Sequence, residues 1–264
     1  MITSPHNEII RHARSLISSR KARKKSGQFT LEGVRLVEEA VESGWIPETV
    51  LFSEDLSPRG RSILDHLSIP KENILEVIST LLADLSDTEN SQGIVMIFKN
   101  IVLKMPLSLD FVLILDEVKD PGNLGTLLRT GHAAGVQAVF LTPGTTDAFS
   151  PKVLRSGMGA HFHLPIFPLD WESILSLLDR NSPKPYELIL ADTKQGLSLW
   201  DLDFRQPVGI IVGGEAFGAG SSAGKYATKR CTIPMTGNSE SLNAAIAGGI
   251  LMFEVVRQRG ISRQ

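Results

Sequence analysis

The sequence predicts an α/β protein in two parts, the second built on a largely parallel sheet with helices on both sides. Three observations carry this. In the second half, strand-like runs alternate with helical stretches, the pattern of a parallel sheet and its crossovers. The runs "FVLIL" and "VGIIV" are apolar throughout, as strands covered on both faces must be. The chain has 264 residues, 42% hydrophobic and 21% charged, which is enough core for one large or two modest domains.

The first half opens with a helix over residues 6 to 25, whose apolar stripe is Ile9, Ile10, Ala13, Leu16 and Ile17. A short strand (Phe29–Gly33), a helix (Val34–Ser43), a strand (Thr49–Phe52) and a helix (Arg61–Leu67) follow. Then come a strand near Ile74–Ile78, a short helix after Ser79 and a strand at Gly93–Phe98. This makes a small α/β domain over 1–100. "NIVLKMPLSLD" breaks the pattern with Lys104, Pro106 and Ser108, so 101–108 reads as a linker and 109–264 as the second domain. Strands are expected there at Phe111–Leu115, Val136–Leu141, Leu164–Phe167, Tyr186–Ala191, Val208–Val212 and Cys231–Pro234. A long final helix, Ser241–Arg259, is rich in Ala and Gly, so something packs closely against it; Ser241 is its expected N-cap.

Composition excludes several classes. Net charge is −2, so contact with a polyanion must come from a local patch. Cys231 is the only cysteine, which rules out an internal disulfide and a multi-thiolate zinc site. The N-terminus has no apolar signal core, and no run approaches the roughly 18 apolar residues of a membrane span. The expectation is a cytoplasmic protein that binds no membrane and no metal. His161 and His163 read as a surface pair on a strand.

Three loops that leave strands carry unusual residues: "DPGNLGTLLRTGHAAG" (120–135), "VGGEAFGAG" (212–220) and "IPMTGNSESLNAA" (233–245). In an open parallel sheet, ligands bind outside the carboxyl ends of the strands. Singly, each loop has an ordinary reading: Asn123 as an N-cap, Arg129 as a solvated helix residue, "GAGSSA" as a weak dinucleotide pattern without its ribose-binding acid.

Together they resemble the SpoU (TrmH-type) family of RNA ribose 2′-O-methyltransferases in the SPOUT superfamily. The family's N-x-G-x-x-x-R motif is matched by Asn123, Gly125 and Arg129. Its Gly/Glu loop is matched by Gly213-Gly214-Glu215 with Gly218. Its I-P-M and S-L-N motifs are matched by Ile233-Pro234-Met235 and Ser241-Leu242-Asn243. "FTLEGVRLVEEAVESG" is similar to the family's N-terminal substrate-binding domain.

The resemblance implies a SPOUT-type sheet with a deep trefoil knot, preceded by a small α/β RNA-binding domain, and a homodimer paired through the knotted domain. It implies S-adenosylmethionine as cofactor, held by Thr193, Gly213, Gly218, Ile233, Met235 and Leu242. The implied catalytic set is Asn123, Arg129, Glu215, Ser241 and Asn243. The substrate class is RNA, with ribosomal RNA preferred over transfer RNA; a non-catalytic RNA-binding relative is the other alternative. An arginine general base sits badly with a guanidinium that holds its proton throughout the physiological range, so Arg129 is read as a ligand for phosphate and developing alkoxide.

The residues add one independent sign. Between Glu8 and Glu32 there is no acid, while Arg11, Arg14, Arg20, Lys21, Arg23, Lys24 and Lys25 are present. In a chain of net charge −2 such a run is a candidate phosphate-binding patch, with Arg20, Lys21, Arg23, Lys24 and Lys25 at its centre.

Overall fold

The computed structural model describes residues 1–86, 91–181, 186–214, 220–237 and 240–260, in two compact units. The first unit comprises Met1–Ile101 with Phe149–Phe162; the second comprises Val102–Ala148 and His163–Gln264.

The first unit begins with α1 (Glu8–Ser18) and α2 (Arg20–Ser26), where the sequence had suggested a single helix. Ser19 breaks it: its backbone is extended, and its hydroxyl accepts the Ala22 N–H that starts the second helix. Then follow β1 (Gln28–Glu32), α3 (Val34–Glu42), β2 (Pro47–Phe52), α4 (Pro58–His66), β3 (Ile74–Glu76), α5 (Ser79–Ala83) and β4 (Ile94–Lys99). The strands form one sheet in the order β1-β4-β2-β3, antiparallel except for β2 with β3. Ile10, Ala13 and Leu16 of α1 pack with Leu51, Leu82, Val95 and Ile97, a stripe at helical spacing burying one face of the sheet.

The second unit starts with β5 (Phe111–Asp116), α6 (Pro121–Ala133) and β6 (Ala138–Leu141). The next stretch returns to the first unit. It holds α7 (Pro151–Gly157), which the sequence reading missed, and a 3-10 turn at Ala160–Phe162. There Trp45 Nε1 donates to Phe162 O, and Phe29 packs against Phe149. His161 is buried in that turn while His163 is exposed and stacked on His132, so they are no strand pair.

The second unit resumes with β7 (Ile166–Pro168), α8 (Trp171–Asn181), β8 (Glu187–Ala191), β9 (Leu197–Ser198), β10 (Val208–Gly213), α9 (Ser221–Tyr226), β11 (Lys229–Thr232) and α10 (Ala244–Arg259). All seven strands are parallel, in the order β7-β6-β5-β10-β8-β11-β9. The expected parallel sheet is therefore present. Val112, Ile114, Phe140, Leu188 and Ile211 pack with Trp171 and Ile174 of α8 in one core.

The small-residue face of α10 packs inside the unit, against α6 and β10. A Cβ on Gly248 would lie 2.5 Å from Leu127 Cδ2 and 3.1 Å from Val212 Cγ2. The close partner expected for this face is thus within the chain. At its far end Arg259 ties the helix to Phe204 O, Gln206 O and Asp110. Among the described residues no helix is long and apolar enough to cross a membrane.

Candidate active site

The three unusual loops leave the same end of one sheet. From β5 the chain adds β6 and β7 on one side; β10, β8, β11 and β9 lie on the other. The winding reverses between β5 and β10, where open parallel sheets bind ligands outside their carboxyl ends. Gly213, ending β10, is in register with Asp116, ending β5. The first and second loops therefore start side by side.

The turn after β5 is held by two aspartates. Asp116 is buried; its Oδ1 accepts from Thr142 Oγ1 at 2.8 Å and Trp171 Nε1 at 3.1 Å, and its Oδ2 accepts from Gly220 N at 2.7 Å. A buried carboxylate needs such donors, and these lock the first loop to the far end of the second. The sequence reading missed Asp116; its only signal was an acid ending an all-apolar strand. Asp120 is the N-cap of α6, accepting from Asn123 N at 2.8 Å, with Pro121 in the first turn. The cap is thus supplied by Asp120, which leaves the Asn123 side chain for other work.

That side chain meets the third loop. Asn243, not Ser241, caps α10: its Oδ1 accepts from Ala245 N at 2.9 Å and Ile246 N at 3.3 Å. Two donors on one oxygen fix the amide orientation, and Asn243 Nδ2 donates to Asn123 Oδ1 at 2.9 Å. Motif residues 120 positions apart are joined directly. Ser241 is exposed and Leu242 half-buried just before the helix; Ile233 is half-buried and Met235 exposed just after β11. Thr193 is exposed, in the turn after β8. Its neighbour Asp192 anchors that turn: burial raises its pKa, but the Lys194 N–H, the Arg230 guanidinium and the Gln195 N–H outweigh this and hold it below the usual range.

Gly214 and Gly220 allow the second loop to lie tightly on the first. A Cβ on Gly214 would sit 2.5 Å from Glu117 O, and one on Gly220 would sit 2.8 Å from Glu117 Oε1. Glu215 and Gly218 lie outside the described residues. Arg129 is exposed on α6, about 9 Å along the axis from Asn123 and about 120° round the helix.

Of the basic run, Arg20, Lys21, Lys24 and Lys25 are exposed on α2, and Arg11 and Arg14 are exposed on α1. Arg23 corrects the expectation: it is 8% exposed, and its Nη1 donates to Leu16 O at 2.5 Å and Ile17 O at 3.1 Å. It satisfies carbonyls at the end of α1 and holds the break at Ser19.

Comparison with known proteins identifies the family. Residues 110–253 match the SpoU rRNA Methylase family, and residues 7–96 match the MRM3-like substrate binding domain. The chain is 33% identical over 260 residues to an uncharacterized tRNA/rRNA methyltransferase of Synechocystis, covering 98% of this chain and 94% of the other. It is 31% identical over 259 residues to the 23S rRNA (guanosine(2553)-2′-O)-methyltransferase RlmP of Bacillus subtilis, covering 96% and 98%. The crystal structure of the SpoU methyltransferase AviRb from Streptomyces viridochromogenes in complex with AdoMet superposes with a TM-score of 0.85 at 27% identity, covering 97% of this chain and 100% of that one.

Proposed function

Because the chain belongs to the SpoU rRNA methylase family, we propose that it is an S-adenosylmethionine-dependent RNA methyltransferase acting on a ribose 2′-hydroxyl of ribosomal RNA. The observation that carries this is the hydrogen bond between Asn123 and Asn243, which joins the first and third motif loops at the mouth of the sheet.

The residues fit the cofactor. Gly213, Ile233 and Leu242 are half-buried at the ends of neighbouring segments, and the close approach at Gly214 and Gly220 leaves backbone groups to face a ligand. Thr193 and Met235 border the same end of the sheet, and Gly218 completes the set that would hold the adenosyl and methionine parts. When bound, the cofactor supplies a methyl group on sulfonium, whose thioether leaves without help from a metal or an acid.

The chain's residues orient the nucleophile and ease the loss of its proton. Asn123, held in place by Asn243, orients the ribose. Arg129 binds the RNA phosphate beside the target and stabilises charge growing on the 2′-oxygen, while the proton leaves through phosphate or water. Glu215 orients the second loop, and Ser241 closes the site beside Asn243. The exposed bases of α1 and α2 hold RNA backbone. Ile246 and Phe253, 54% and 49% exposed and two turns apart on α10, form an apolar stripe suited to pairing two chains. A trefoil knot through the last loops and a cytoplasmic location beside the ribosome belong to the same reading.

The test is a map of 2′-O-methyl positions in total RNA with and without the gene. One position in ribosomal RNA should lose its methyl group and regain it when the gene is restored. An unchanged ribosomal map would refute the assignment, and a loss confined to transfer RNA would move the substrate there.

A further inference from the structure

We infer that Glu117 is a further cofactor-binding residue, whose carboxylate receives the α-ammonium of the methionine end of S-adenosylmethionine. This rests on the methyltransferase reading above.

Glu117 is the first residue beyond β5, at φ 55°. That left-handed conformation crowds any side chain with a Cβ, and glycine would adopt it without cost. Among the described residues only Met158 shares this condition without being glycine, and Met158 is the C-cap of α7, where left-handed residues are routine. Glu117 has no such excuse. Strain of this kind is kept where the side chain has a task.

The surroundings are shaped around it. A Cβ on Gly144 would lie 3.1 Å from Glu117 Cγ, one on Gly220 would lie 2.8 Å from its Oε1, and one on Gly214 would lie 2.5 Å from its carbonyl oxygen. Three positions give up side chains where this one keeps a long one. Gly214 and Gly220 border the reversal between β5 and β10, where the ligand crevice is expected, and Gly144 lies in the turn after neighbouring β6.

Charge then selects the partner. A carboxylate at a site that receives RNA repels phosphate. Asp116 next to it already has three donors, whereas Glu117 is exposed and makes no ion pair among the described residues. That leaves its carboxylate open to a cation carried by a ligand. Of the cofactor's two positive centres, sulfonium has no N–H, while the ammonium offers three donors to a carboxylate.

The test compares two ligands on the full-length chain by isothermal titration: S-adenosylhomocysteine, which carries the ammonium, and 5′-methylthioadenosine, which lacks the whole amino-acid end. Glu117→Gln and Glu117→Gly should each weaken S-adenosylhomocysteine about tenfold and leave methylthioadenosine unchanged. Glu117→Gly should do so with a urea midpoint no lower than wild type, because it relieves the backbone. Wild-type affinity for S-adenosylhomocysteine in Glu117→Gln would overturn the inference, as would equal losses for both ligands, which would mark a residue that only shapes the loop. A wild-type protein that binds neither ligand would overturn the methyltransferase reading and this inference with it.

Discussion

Asn243 carries two separable functions, and substitutions can pull them apart. Its side-chain oxygen caps α10 through Ala245 N and Ile246 N, and its amide nitrogen donates to Asn123 Oδ1 at 2.9 Å. Losing an N-cap costs about 1 kcal/mol, and a partly exposed neutral hydrogen bond contributes about 0.5 kcal/mol. Asn243→Ala should therefore lose about 1.5 kcal/mol, read as a lower urea midpoint at constant m. Asn123→Ala should lose only about 0.5 kcal/mol, since the cap of α6 is Asp120. Asn243→Ser is the informative variant: a serine hydroxyl caps as well as asparagine, so stability should stay within about 0.5 kcal/mol. It is too short to reach Asn123. Its single-turnover methyl transfer at saturating cofactor and RNA should fall about fivefold, the rate equivalent of one positioning hydrogen bond. In the double-mutant cycle, Asn123→Ala should add little to the rate loss already present in Asn243→Ser. An Asn243→Ser enzyme with both wild-type stability and wild-type rate would refute the positioning role. An Asn243→Ala protein as stable as wild type would refute the capping role.

Other expectations follow from particular side chains. Arg129→Ala should lower single-turnover transfer about a hundredfold with S-adenosylhomocysteine affinity unchanged, and Arg129→Lys should recover little, because a lysine lacks the planar fork. Replacing Lys21, Lys24 and Lys25 with Gln should weaken RNA binding and reduce the salt slope by about 2, with no loss of stability. Arg23→Gln should do the reverse, costing about 2 kcal/mol in urea denaturation through its lost bonds to Leu16 O and Ile17 O, with the salt slope unchanged. Burial pushes the Cys231 thiol up to about 12, so a thiol-reactive disulfide reagent at pH 8 should label it slowly in the native protein and rapidly in denaturant. The Arg257 guanidinium, against the opposing effect of burial, holds Glu254 below its usual value with help from Gln258. A depressed folded pKa contributes stability above the unfolded value, roughly 4.3, that is lost as pH falls through the folded one. Glu254→Gln should therefore flatten the acid limb of a stability–pH curve.

The second sheet was legible because its strands are buried on both faces, and "FVLIL" and "VGIIV" admit few other readings. The break between α1 and α2 was not. Its apolar stripe continues through Ile17, and the stop at Ser19 is held by an arginine that reads as part of a basic run. Periodicity reports which face a helix buries; it does not report which cation turns back to satisfy a carbonyl. α7 was missed for a related reason. It is a short element, Pro151–Gly157, that packs with the first unit although its sequence neighbours belong to the second.

The site divides along the same line. Asn123, Asn243 and the glycines stood out only together, because their order and spacing match the motifs of the SpoU family. Asp116 and Glu117 did not, because their roles are made by register: Thr142 is 26 residues from Asp116 and Gly220 is 104. Glu117 looks like any turn acid until its φ and the three glycines around it are known. Asn243 joins the two kinds of information. The motif marked it as a site residue, while the expected helix start fell on Ser241, two positions earlier. In the structure both roles fall on one amide, so the group that positions Asn123 also starts α10. Neither role can drift without disturbing the other: a side chain that slipped out of the cap would also release Asn123. Binding geometry at this end of the sheet is thereby tied to folding of the final helix, whose Gly248 is packed against Leu127 of the helix that bears Asn123.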